Sequence, residues 1–209
     1  MNERNAQHVF LKRLPSVAYQ GSAIVHWSLT IEDRQTGWLT PKFYYKFREL
    51  LAHTTFRYGF SCPIFCCMPD HIHLMWVGLR ESTDQLNAMK FFRTRVNEVL
   101  RKIGFELQLQ GYDHVLNENE RVKEAFEAIF DYIARNPERK GLVPPDGFAK
   151  YPFTSCIIPG YPEIIPFTPD FWERLGRVHS HLRKTELFRS TTECDSEPSN
   201  LLLGTNKPR

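Results

Sequence analysis

The sequence predicts an α+β fold: an antiparallel β-sheet with helices packed on one face, followed by an irregular, proline-rich C-terminal extension. Three observations predict it. Apolar runs of strand length occupy residues 23–31, 60–68 and 71–78, and a four-residue turn joins the last two. Segments with helical spacing lie between the runs, in the order β-α-β-β-α-β-α. The chain has 209 residues and no internal repeat, enough for one domain with a sizeable core.

Residues 1–21 are polar and read as an N-terminal arm ending at Gly21. AIVHWSLTI, residues 23–31, is rich in β-branched and aromatic side chains, as a strand requires. In residues 41–59, Phe43, Phe47, Leu50, Leu51 and Thr54 fall at helical spacing, with Pro41 at the start and Gly59 at the stop. FSCPIFCCM, residues 60–68, is nearly continuous in apolar residues, which suits a strand covered on both sides. Met68-Pro69-Asp70-His71 fits a tight turn with proline at its second position.

Ser82 and Gln85 make a capping-box pattern. Leu86, Met89, Phe92, Val96, Val99, Leu100 and Ile103 then mark an amphipathic helix ending at Gly104. Between Arg80 and Lys102 six basic residues face three acidic ones, so this segment alone carries the chain's formal net charge of +3. Residues 105–116 alternate like a strand. A helix capped by Asn117 runs through Ala134 with Val122, Phe126, Ile129 and Ile133 inward, and Pro137 stops it. Seven prolines fall between Pro144 and Pro169, ahead of a short helix near 171–184. Residues 185–209 are polar without a periodic apolar face and read as a disordered tail.

Composition narrows the function classes. The chain is 42% hydrophobic and 24% charged, as a globular protein is, and its mild positive charge permits a nucleic-acid partner without demanding one. No signal-peptide pattern or bilayer-length apolar run is present, so a cytoplasmic location without a membrane partner is expected. The cysteines, Cys62, Cys66, Cys67, Cys156 and Cys194, include no CxxC pair, which points to reduced thiols.

The candidate site begins at HIHLMWVG. Strand side chains alternate faces, so His71, His73, Met75 and Val77 share one face and Ile72, Leu74 and Trp76 the other. An HxH pair alone is weak: eight histidines in 209 residues give about 0.3 such pairs by chance. His179 and His181 form a second pair, on a predicted helix where residues two apart face differently, and carry no expected role. Residues 128–143 supply the missing parts. Tyr132 and Asn136 lie one helical turn apart, although Pro137 works against α dihedrals at Asn136. Two imidazoles and an amide oxygen can hold a hard divalent ion with positions left open, and a phenol beside it can serve as nucleophile. Tyr44, Tyr45 and Tyr112 are rival phenols that lack an adjacent ligand-type residue. The plainer reading keeps His71 and His73 as hydrogen-bonded strand residues and Tyr132 as a packed helix end.

MPDHIHLMW, QLQGYDHVL and YIARNPERKGLV, in that order, resemble the HUH single-tyrosine transposases, and within them the REP-associated tyrosine transposases. The resemblance spans roughly residues 22–155. It implies the ferredoxin-like HUH endonuclease fold for this domain, with residues 156–184 as a proline-rich extension. It implies a metal-dependent single-stranded DNA endonuclease and strand transferase, acting at hairpin sequences as a monomer or homodimer. His71, His73 and Asn136 would hold Mg²⁺ or Mn²⁺, and Tyr132 would form a 5′-phosphotyrosine link. Lys90, Arg93 and Arg95 would line the DNA backbone, and Asp113 and His114 are candidates for the border of the site. Lys140 departs from the family pattern, which has alanine there. Two alternatives stay open: a non-catalytic nucleic-acid-binding module on the same fold, and a metal-binding structural domain without DNA.

Overall fold

The computed structural model describes residues 13–117 and 123–185. Val122, Cys194, the start of the N-terminal arm and the expected tail beyond residue 185 lie outside them. The elements run β1 (Ile24–Thr30), α1 (Pro41–Tyr58), β2 (Phe60–Cys67), β3 (His71–Gly78), α2 (Gln85–Arg101), β4 (Tyr112–Val115), α3 (Lys123–Ala134), α4 (Asn136–Arg139), β5 (Thr154–Ile157) and α5 (Phe171–Lys184). One five-stranded antiparallel sheet has the order β4-β1-β3-β2-β5.

Local chemistry sets the boundaries. Thr40 caps α1, its hydroxyl accepting from the Phe43 N–H at 3.2 Å, and Gly59 ends it in the left-handed region at φ 69°. The β2–β3 turn closes by the Met68 N–H donating to the His71 carbonyl at 2.7 Å. Asp84 caps α2, accepting from the Asn87 N–H at 3.0 Å, so Ser82 does not cap it. Gln85 belongs to the core instead: its amide donates to the Ala23 carbonyl at 2.7 Å.

The helices, expected on one face, cover both. β2 and β3 are buried along their whole length, so both faces of the sheet need a cover. On one side Val25, Trp27, Leu29, Ile72, Leu74 and Trp76 pack with α1 and α2. On the other, Ile64, Cys66 and Met75 pack with Phe130 and Ile133 of α3 and with Phe171, Leu175 and Leu182 of α5. The region beyond residue 155 is therefore part of the domain. β5 pairs with β2 across the expected boundary, and the Phe130 ring lies 5.3 Å from Phe171 and 4.7 Å from Trp172.

Three smaller expectations change. The arm is anchored from Arg13 on: Tyr19 is fully buried, and its hydroxyl donates to Asp113, which also takes the Arg13 Nε at 2.9 Å. The strand expected over 105–116 shrinks to β4, because α2 side chains take the preceding backbone groups. The Leu107 N–H donates to the Asn97 amide oxygen at 2.9 Å, and Arg93 donates to the Gln108 carbonyl. His179 is no idle surface group, since its Nε2 lies 2.8 Å from the buried Ser61 hydroxyl. Among the described residues, Cys62, Cys66, Cys67 and Cys156 are free and buried.

Candidate active site

Strand register brings the histidines together. His71 and His73 of β3 share the face covered by α3, and both are nearly buried, with 8% and 6% exposure. Ser28 of β1 pairs with His73, and His26 pairs with His114 of β4. Alternation therefore sets His26 and His114 on the same face as the HxH pair. Asp113 pairs with Trp27 and faces the opposite way, toward Arg13 and Tyr19. Of the two expected border residues, His114 is on the site's face and Asp113 is not.

The imidazoles form a continuous line. Asp70 Oδ1 lies 2.6 Å from His71 Nδ1, His71 Nε2 lies 3.0 Å from His73 Nε2, and His73 Nδ1 lies 3.1 Å from His26 Nε2. Arg34 holds the other Asp70 oxygen at 2.8 Å. Burial works to raise the Asp70 carboxyl, but hydrogen bonds from His71 and Arg34 outweigh it and hold the group below its usual range. Burial, reinforced by the neighbouring imidazoles, pushes His73 down to about 3. Burial and His114 push His26 down to about 4. Both rings are neutral at pH 7, the state in which imidazole binds metals.

The helix side completes the site. The chain kinks at Arg135, with φ −87° and ψ 4°, and a new turn begins at Asn136 with proline in its first turn, where the missing N–H is tolerated. Asn136 thus escapes the displacement expected of a residue before proline. Its amide nitrogen donates to the Tyr132 and Ile133 carbonyls at 2.8 and 3.4 Å, and its side chain also hydrogen-bonds His73, favouring the charged imidazole. The Tyr132 ring packs edge-on to His73 and His26, at 5.9 and 6.0 Å between centroids, and is 43% exposed. Arg139 covers that ring at 4.6 Å and donates to the Tyr132 carbonyl at 3.1 Å.

The rival phenols sit elsewhere. Tyr44 packs on Phe65 and Phe153 in the α1 layer, where burial drives its pKa well up, and Tyr45 on the same helix is 73% exposed. Tyr112 shares the imidazole face but stands on the outer strand, 53% exposed. Lys90, Arg93 and Arg95 lie on α2, in the layer opposite the imidazoles. Arg93 is engaged with Gln108, Arg95 pairs with Glu98 at 3.0 Å, and Lys90 is exposed beside Arg93 on a groove of about 600 Å³.

Sequence reasoning missed His26, Asp70 and Arg139 as partners of the site. His26 had a signal: AIVHWSLTI places His26 and Ser28 on one face and Val25 and Trp27 on the other. Only the register shows that this polar face meets His73.

Could these residues hold a divalent ion? Among the described residues no three His, Cys, Asp or Glu side chains cluster as ligands, so a closed structural zinc site is not built here. The His71 and His73 Nε2 atoms lie 3.0 Å apart, near enough for one ion to take both once neither carries a hydrogen. The carboxylate behind His71 is the usual outer partner of a ligating imidazole. Two imidazoles and an amide oxygen are a donor set that fits a hard divalent ion with further positions open.

This arrangement defines an α+β sandwich bearing an imidazole pair, an amide and a tyrosine on one face of its sheet. No protein-family model matches the chain, and no curated protein does. Among solved structures, a REP-associated tyrosine transposase bound to a REP hairpin matches with a TM-score of 0.57 and 16% identity, over 69% of this chain and 81% of that one. The relation to these transposases is one of fold. A bacterial tRNA(His) guanylyltransferase-like protein in complex with GTP aligns with a TM-score of 0.43 and 12% identity, over 82% and 92%.

Proposed function

We propose that the chain is a metal-dependent single-stranded DNA endonuclease and strand transferase that works through a 5′-phosphotyrosine intermediate. One observation carries this function: the Tyr132 ring packs against His73 and His26 beside the His71–His73 nitrogen pair, with Asn136 one turn further on. The fold shared with a hairpin-bound transposase supports a hairpin or single-stranded DNA partner.

His71, His73 and Asn136 would hold Mg²⁺ or Mn²⁺, which supplies Lewis-acid polarisation of a phosphate when bound. The Tyr132 oxygen attacks phosphorus, forming a phosphotyrosine ester and losing its proton to solvent. The bridging 3′ oxygen leaves with its electron pair and takes up a proton to give a 3′-OH. A second 3′-OH reverses these events, releasing the phenol and rejoining the strand. The ester retains the phosphodiester's energy, so joining needs no ATP. Arg139 holds the Tyr132 ring in place, and Asp70 fixes His71. Lys90 and Arg95, on the far layer, would contact DNA flanking the scissile phosphate.

The test is incubation with labelled single-stranded hairpin DNA and Mn²⁺, read on a denaturing gel. A covalent band is expected, lost with chelator and in Tyr132→Phe. A band that persists in Tyr132→Phe overturns the nucleophile. No band, with no metal uptake, favours the non-catalytic DNA-binding module.

A further inference from the structure

We infer that His26, outside the HxH strand, is the positioning residue that allows His71 and His73 to act together as metal ligands. The inference rests on the metal site proposed above. It follows from counting hydrogens along the line Asp70, His71, His73, His26, whose three contacts measure 2.6, 3.0 and 3.1 Å.

Each neutral imidazole carries one N–H, and an ionised carboxylate only accepts. His71 therefore keeps its hydrogen on Nδ1, facing Asp70, and its Nε2 is a bare lone pair. Two arrangements remain for the other rings. In the first, His73 donates from Nε2 to His71 and His26 donates from Nε2 to His73 Nδ1. Every contact is then a hydrogen bond, and a proton closes the gap between the two Nε2 atoms.

The second arrangement is the one a metal ion needs. Both Nε2 atoms must be bare, so the hydrogen of His73 must sit on Nδ1. That N–H points at His26 Nε2, which must accept, and His26 then carries its own hydrogen on Nδ1. An acceptor at position 26 is what makes this arrangement affordable. Without it, His73 would have to turn its N–H to the Asn136 oxygen, itself wanted as a ligand, or keep its hydrogen on Nε2, where a ligand's lone pair is wanted.

The protons balance. The hydrogen on His26 Nε2 passes to His73 Nδ1, the one on His73 Nε2 leaves to solvent, and solvent returns one to His26 Nδ1. Metal binding thus exchanges two tautomers without net proton release from this pair.

The test uses metal-free native protein, His26→Phe and His26→Gln. Phenylalanine fills the space without an acceptor, whereas glutamine offers an amide oxygen. Calorimetric titration with Mn²⁺ should show His26→Phe weakened by roughly 10- to 100-fold and His26→Gln restoring most of the loss. ¹⁵N imidazole spectra of the native protein should show the His73 hydrogen moving from Nε2 to Nδ1 as Mg²⁺ is added. Unchanged affinity in His26→Phe overturns the role of His26 while leaving the metal site standing. A native protein that takes up neither ion overturns the metal site, and the role with it. If His26→Phe does not fold, the native spectra decide: a His73 that keeps its hydrogen on Nε2 at saturating Mg²⁺ overturns the inference.

Discussion

Arg139 lies over the Tyr132 ring at 4.6 Å and also bonds the Tyr132 backbone carbonyl at 3.1 Å, so one side chain fixes both ends of the proposed nucleophile. A cation–π contact at an exposed ring is worth about 0.5–1 kcal/mol, too little to govern folding but enough to select a rotamer. Arg139→Ala is expected to keep its thermal midpoint within a few degrees while covalent DNA attachment slows by roughly 10- to 100-fold. Attachment at the native rate would remove Arg139 from the site.

Asp70 is the outer partner of His71 and is itself held by Arg34. Asp70→Ala should weaken Mn²⁺ binding by about 10- to 100-fold. Asp70→Asn, which keeps an acceptor but loses the charge, should fall between that variant and the native protein. Calorimetry of the three proteins checks the order.

Stability should depend on pH through the buried imidazoles. Burial holds His26 and His179 at about 4 and His73 at about 3, against 6.5 for the free side chain. Above pH 7 all three are neutral, folded or unfolded, and add no slope. Between about pH 6.5 and 4 the unfolded chain binds protons that the folded chain refuses, so stability falls as the pH falls, by up to about 1.4 kcal/mol per pH unit for each group. Urea midpoints of metal-free protein at pH 7.5 and 5 test this, and equal midpoints would contradict it.

His179 bonds the buried Ser61 hydroxyl from α5 and lies outside the proposed metal site. His179→Ala strands that hydroxyl and should cost about 1–3 kcal/mol of stability. The Ser61→Ala, His179→Ala double variant should recover part of the loss. Mn²⁺ affinity should stay native in both, and a drop there would connect α5 to the site in a way the hydrogen bond does not explain.

The basic residues of α2 should separate by their engagement. Exposed Lys90 is free to meet phosphate, so Lys90→Ala should reduce the slope of log affinity against log salt by about 0.7 for single-stranded DNA. Arg93 is half-buried and donates to the Gln108 carbonyl, so Arg93→Ala should mainly destabilise the 105–111 segment. A salt titration beside a melting curve distinguishes the two effects.

Local period made much of this legible. Alternation in β3 placed His71 and His73 together, and helical spacing placed Tyr132 with Asn136. The break at Arg135 was legible only in part: Pro137 removes the N–H that would bond the Ile133 carbonyl, but that the Asn136 amide takes this carbonyl at 3.4 Å instead is a matter of side-chain geometry. His26 and Asp113 needed strand register, a property of pairs of segments that no single segment contains. The second helical layer was hidden for a similar reason. α5 carries an apolar stripe, Phe171, Leu175, Val178 and Leu182, but the surface that buries it is evident only against Phe130 and the far face of β2.

That second layer has a consequence for how the protein comes into being. The inward face of α3 shares its apolar cluster with Phe171, Leu175 and Leu182, which a ribosome delivers some forty to fifty residues after Tyr132. Until they emerge, the nascent chain can close the α1–α2 side of the sheet but lacks the wedge that seats the tyrosine helix on the other. The imidazole line would exist before the phenol is locked above it, so the assembled site follows the emergence of α5.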